Sequence, residues 1–104
     1  MEERKMYSKV VGVSFNNRQE IIVKLNQGDK LKLIPEPDNP FDSNCQNILT
    51  INDESIGNLK KELAAEIAKG QANGWIYEAT VTEVTGKDNP QHTNGVNIEI
   101  IAKR

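Results

Sequence analysis

Glu36-Pro37-Asp38-Asn39-Pro40-Phe41-Asp42-Ser43-Asn44, followed after one strand-like run by Ile56-Gly57-Asn58-Leu59-Lys60-Lys61-Glu62-Leu63-Ala64, is the stretch whose reading decides the fold. Its first half sets two prolines and four Asn or Asp side chains around one aromatic ring. Prolines fix φ and short polar side chains bond the nearby backbone, so the expectation is a rigid loop. Such a loop serves either as a structural corner or as a holder for a small ligand group.

Outward from the loop, residues 30–35 alternate Leu31 and Leu33 against Lys30 and Lys32 and predict a strand. Residues 46–51 and 54–59 read as a hairpin around Asn52-Asp53. Leu59, Leu63 and Ile67, supported by Ala64 and Ala68, mark a helix face, with Gly70 placed to end the helix. Residues 7–15 alternate as a first strand, with Tyr7, Lys9, Val11, Val13 and Phe15 on one face and Phe15 expected in the core. Asn17-Arg18-Gln19-Glu20 has capping-box spacing, which favours a short helix closed by Gly28 over a strand bearing Ile21, Val23 and Leu25. Residues 75–85 and 96–102 are the last two strands, joined by a polar loop over residues 86–95. Six short strands and two short helices predict a mainly β fold, a small, partly open six-stranded barrel, because strands this short need closure or covering.

At 104 residues and 11.6 kDa the chain fits one domain, residues 1–104, with its ordered core expected over residues 6–103. Folding at this size removes about 65% of the extended chain's surface from water. No apolar run approaches the length of a membrane span and the polar start lacks a secretory signal, so a soluble, cytoplasmic protein without a membrane partner is expected. The single cysteine, Cys45, excludes an internal disulfide or a cysteine-based zinc cluster and is expected to be a small buried side chain.

Thirteen basic against fifteen acidic residues give a net charge of -2, which argues against broad, phosphate-dominated nucleic-acid binding. Between Ile34 and Ser55 stand five acids and no Lys or Arg, so any phosphate contact near the loop must borrow its cations from elsewhere. Nucleophilic catalysis finds little support, since the one histidine, His92, sits in a loop with no positioned partner. Asp38, Asn39, Asp42 and Asn44 offer oxygens to a hard cation, but their spacing matches no defined metal loop. The expectation is a non-enzymatic module without metal or cofactor.

Nucleic-acid end recognition needs an aromatic face, an acceptor for a sugar hydroxyl and a few cations. Phe41 can stack, Asp42 can accept from a terminal hydroxyl, and Lys60 or Lys61 at the start of the second helix can meet phosphate. The competing reading makes Phe41 the hydrophobic plug of its loop, Asp42 an Asx-type cap, and Lys60 and Lys61 a solvated helical turn.

The residues quoted above, with Val10-Val11-Gly12-Val13-Ser14-Phe15, Gly28-Asp29 and Leu33, resemble the HIRAN domain family over about two-thirds of the chain. The resemblance implies a modified oligonucleotide-binding barrel that recognises the 3'-hydroxyl end of single-stranded DNA. It puts Phe41 and Asp42 at the terminal nucleoside, Phe15 at a second stacking position, and Lys61 at a phosphate. The chain departs from the eukaryotic pattern at Ser14, where an arginine serves DNA, at Phe15 and Phe41, which replace tyrosines, and at Asn58, which stands where a histidine is found. It carries no nucleotide-binding loop and is similar to the solitary HIRAN proteins of bacteria. The leading expectation is a single-stranded DNA 3'-end binder in repair, replication or processing, with Phe15, Phe41, Asp42, Asn58, Lys60 and Lys61 as the binding set and a repair or processing protein as a further partner. The alternative is a protein-interaction module using the same loop or an exposed strand edge. The oligomeric state stays open.

Overall fold

The computed structural model describes residues 2–15, 17–87 and 93–104; His92, with residues 88–91 of the 86–95 loop, lies outside them. The strands are β1 (Glu3–Lys9), β2 (Lys30–Pro35), β3 (Gln46–Thr50), β4 (Ser55–Asn58), β5 (Ile76–Thr85) and β6 (Gly95–Lys103), and the helices are α1 (Arg18–Ile22) and α2 (Lys61–Ala72). All strands pair antiparallel in the order β1-β6-β5-β2-β3-β4.

The apolar alternation of β6 suits its place inside the sheet, between β1 and β5: Val96, Ile98, Ile100 and Ala102 are all buried while their neighbours on the strand are only partly so, apart from Gly95. Burying one such Ile contributes about 2–3 kcal/mol. Strands β5 and β2 pair over only two residues, Lys30 with Thr80 and Leu31 with Ala79. The sheet is therefore two three-stranded halves sharing a narrow hinge of hydrogen bonds and folding around one core. Helix α1 packs against β4, and α2 against β5. No helix among the described residues is long and apolar enough to cross a membrane.

Among the described residues, closure at the far side is made by one isolated bridge. Val11 and Asn58 exchange both backbone hydrogen bonds, each 2.9 Å, joining the chain beyond β1 to β4. Gly57 permits this approach, since its φ is +153° and a Cβ there would run into the Val10 side chain and the Val11 carbonyl. The expected partly open barrel is thus an unclosed sheet pinned at a single point.

The first strand corrects the sequence reading. It lies at Glu3–Lys9 rather than at residues 7–15, because an edge strand with a solvated face needs backbone pairing more than apolar alternation. Beyond Lys9 the chain leaves the ladder, and Val10, only 3% exposed, enters the core. Phe15, expected in the core, is 64% exposed, and Tyr7 from the same stripe is 67% exposed.

Four local expectations also change. Helix α1 forms, but Asn17 is left-handed (φ 62°) and makes no side-chain cap, so the capping box is not built. Gln19 instead donates to the carbonyls of Val13 and Asn94 at 2.9 Å each, tying the segment after β1 to the start of β6. Gly28 lies in the turn before β2, where its N–H donates to Val81 at 2.8 Å, and does not close α1. Helix α2 runs through Gly70 to Ala72, and the glycine serves packing and not termination, since the Tyr77 hydroxyl fills the space a Cβ on residue 70 would need; the turn that follows has Gly74 at φ +89°. Cys45 is half-buried rather than buried, its thiol engaged at the neck of the loop described next.

Candidate nucleic-acid interface

The loop between β2 and β3 is braced by its own polar groups. Glu36 N–H donates to the Cys45 carbonyl at 2.9 Å and closes the neck. Asn39 Oδ1 accepts from the N–H groups of Phe41 and Asp42 at 2.9 and 3.1 Å, and Asp42 Oδ1 accepts from Asn44 N–H at 2.9 Å. Asp42 therefore acts as an Asx cap, while its second carboxylate oxygen has no partner among the described residues. Phe41 does not plug the loop: it is 94% exposed. The two readings of the loop separate here, since the acid braces the backbone while the ring is displayed on it.

Asn58 joins this loop to the closure. Its Nδ2 faces Glu36 Oε1 at 3.3 Å, Cys45 Sγ at 3.2 Å and the Gln46 carbonyl at 3.4 Å. The side chain thus positions the neck. Cys45 also donates its thiol to Glu36 Oε1 at 3.4 Å. Burial, followed by that bond and by the negative charges of Glu36 and Asp42, pushes the Cys45 thiol up from its ordinary value, against a smaller opposing effect from Asn58.

On the other side of the bridge, a Cβ on Gly12 would lie 3.0 Å from Arg18 Nη1, 3.7 Å from Asn58 Oδ1 and 3.7 Å from the Phe15 ring. Phe15, Asn58 and a guanidinium therefore meet around one glycine. Arg18 Nη1 donates to the Gly12 carbonyl at 2.8 Å, and its buried Nε has no partner among the described residues. Ion pairs among the described residues join Lys32 to Asp53 and Lys103 to Glu78, and neither involves an arginine. Lys60 and Lys61 follow Asn58 by two and three residues, both exposed at the start of α2, where Lys60 makes no side-chain cap.

Of the set predicted from sequence, Phe15 and Asn58 meet around Gly12, Asn58 touches the neck of the loop that carries Phe41 and Asp42, and Lys60 and Lys61 follow β4 at the start of α2. The closure adds Arg18, which the sequence reading absorbed into a capping box and gave no role. The available signal was that Arg18 is the one arginine between residues 5 and 103, in the segment after the expected first strand.

A small open antiparallel barrel that displays aromatics and cations at its closure belongs to the class of oligonucleotide-binding-like folds. The HIRAN domain family model matches residues 4–103, and the chain belongs to that family. The crystal structure of the HIRAN domain of human HLTF superposes with a TM-score of 0.76 at 24% identity, covering 94% of this chain and 74% of that one. A protein from Lactobacillus plantarum gives 0.73 at 17% identity, covering 98% of this chain and 100% of its own. The solution structure of the HLTF HIRAN domain in its DNA-bound conformation gives 0.65 at 20% identity over 96% of this chain and 75% of that one. In sequence, the helicase-like transcription factor of Oryctolagus cuniculus is 41% identical over 44 residues, 42% of this chain and 4% of that protein's length.

Proposed function

We propose that this domain binds single-stranded DNA and holds its 3'-hydroxyl end at the closure between β4 and the segment following β1. The observation that carries the reading is Phe41, 94% exposed on a loop whose backbone is held rigid by Asn39 and Asp42. A displayed ring on a fixed pedestal gives up about 2 kcal/mol of burial that a folding role would have gained, and it loses little entropy on stacking with a base. The HIRAN domain of HLTF, of the same fold, has been solved in a DNA-bound conformation, which supports the reading.

In this arrangement Phe41 stacks on the terminal base and Phe15 on a neighbouring one, each contact contributing about 1–3 kcal/mol. The free oxygen of Asp42 accepts a hydrogen bond from the terminal 3'-hydroxyl. An internal phosphodiester has no such hydroxyl and meets only like-charge repulsion, so the carboxylate selects ends. Arg18, Lys60 and Lys61 supply the cations that the loop lacks, and Asn58 holds the two halves of the site in register. The domain does this by binding alone, and free 3' ends arise in repair, replication and processing, where we place its role.

The test is fluorescence anisotropy at low salt with a 5'-labelled single strand ending in 3'-hydroxyl or 3'-phosphate. Binding to the hydroxyl end should be several-fold tighter, and Asp42→Asn should reduce the difference. Equal binding to both ends by the unaltered protein would remove end recognition from the reading.

A further inference from the structure

We infer that the strand held by its 3' end continues along α2 into a second, cation-lined groove at the other end of that helix, where its phosphodiester backbone is bound. This rests on the end-binding reading and adds a contact to it.

The groove, of ≈ 450 Å³, opens where β1, β6 and β5 meet the C-terminal part of α2. Arg4, Ala102 and Tyr77 lie in one row across those three strands, and the small Ala102 between two large side chains leaves the depression. Arg4 and Arg104 hold their guanidinium carbons 5.0 and 5.7 Å from the Trp75 ring centre. Lys69 adds a third cation, and among the described residues Glu66 is the one acidic side chain in the lining, in a chain whose net charge is -2.

Cation–π contact and the carbonyls at the end of α2 account for attracting one guanidinium. Two guanidiniums on one indole beside Lys69 repel one another, and an anion relieves that repulsion. Tyr77 offers a donor: its hydroxyl bonds no acceptor among the described residues. Burial, then Glu66, pushes its pKa up against the opposing effect of Arg4, so the O–H is retained at neutral pH. A phosphate oxygen takes both a guanidinium and a phenol O–H as donors.

A surface path runs from the groove to Lys60 at the start of α2. A second depression, ≈ 410 Å³, shares Met6 and Glu66 with the groove and is lined at its other end by Lys60. From Lys60 to Lys69 the helix rises about 14 Å, a span of a few nucleotides. Glu62 and Glu66 line the middle of this path, so backbone contact concentrates at its two ends.

The experiment compares 4- and 12-nucleotide single strands with 3'-hydroxyl ends, by anisotropy at low salt, on the full chain and on Arg4→Gln/Arg104→Gln. The unaltered protein should bind the 12-mer about tenfold tighter than the 4-mer. The double variant should lose that gain while keeping its 4-mer affinity. Its slope of log affinity against log salt on the 12-mer should fall by about 1.4, two phosphates at about 0.7 each. If the double variant does not fold, Lys69→Glu on the exposed helix surface should give the same selective loss for the 12-mer. A length gain untouched by these changes, or no gain in the unaltered protein, overturns the groove and leaves the end site standing. Failure of the unaltered protein to bind either strand overturns both.

Discussion

The Phe41 loop and the Trp75 groove are two aromatic sites built in opposite ways. Phe41 stands exposed to water on a loop that contributes acids and no cations, so the chemistry proposed for it is stacking and hydroxyl recognition. Trp75 has two guanidiniums over its ring, and the groove around it has little open aromatic face but much positive charge. The difference separates positive charge from the acidic loop in a chain whose net charge is -2. Its three arginines, at positions 4, 18 and 104, stand beside Trp75 or Phe15, while the Phe41 loop carries none.

The comparison breaks most completely at Gly57. Replacing it with Ala forces a Cβ into Val10 and the Val11 carbonyl at a φ unfavourable to side chains, and the expected loss is about 3 kcal/mol or more in urea unfolding. A loss under about 1 kcal/mol would show that the closure yields without strain. Next in size is Phe41→Ala, which should weaken binding to a 3'-hydroxyl strand by about 5- to 150-fold with the melting temperature unchanged, because so exposed a ring contributes little to folding. A lowered melting temperature instead would return the ring to a structural role.

Arg18→Gln sharpens the contrast between charge and geometry. Glutamine can keep a hydrogen bond to the Gly12 carbonyl but carries no charge, so affinity should fall a few-fold and the salt slope by about 0.7. An unchanged slope with a lower melting temperature would make Arg18 a latch for the loop and not a phosphate contact. The smallest effect concerns Cys45, whose raised pKa predicts that alkylation by iodoacetamide reaches half-maximal rate at a higher pH than for free cysteine. The unfolded thiol ionises first, so the stability linked to Cys45 is intact below the ordinary thiol range and declines as pH rises through the raised folded value. Urea unfolding from pH 7 to 10 should show that decline, reduced in Cys45→Ser.

Much of the barrel was legible because its inner strands alternate cleanly. Strand β2 lies where Leu31 and Leu33 put it, and β6 extends the predicted strand by one residue at each end. The edge strand was misread because Glu3-Arg4-Lys5 shows no apolar period; its partner in the ladder, β6, supplies the order. Within the site, Phe41 and Asp42 were legible from the Asx and proline framework, but whether the ring faced inward was not, since either outcome keeps the same loop bonds. Arg18 was hidden because its neighbours imitate a capping box that the left-handed Asn17 does not make.

The sequence by itself determined a single small β-rich domain, its braced loop, its second helix and its family, because these rest on local spacing and turn chemistry within a few residues. Only the tertiary structure decided that Phe15 faces solvent, that Asn58 works as a brace, and that Arg4 and Arg104, a hundred positions apart, share one indole. The reason is strand pairing: the β1–β6 ladder that joins the two ends of the chain, and the Val11–Asn58 bridge that pins the open sheet, act between segments whose sequences carry no mark of each other.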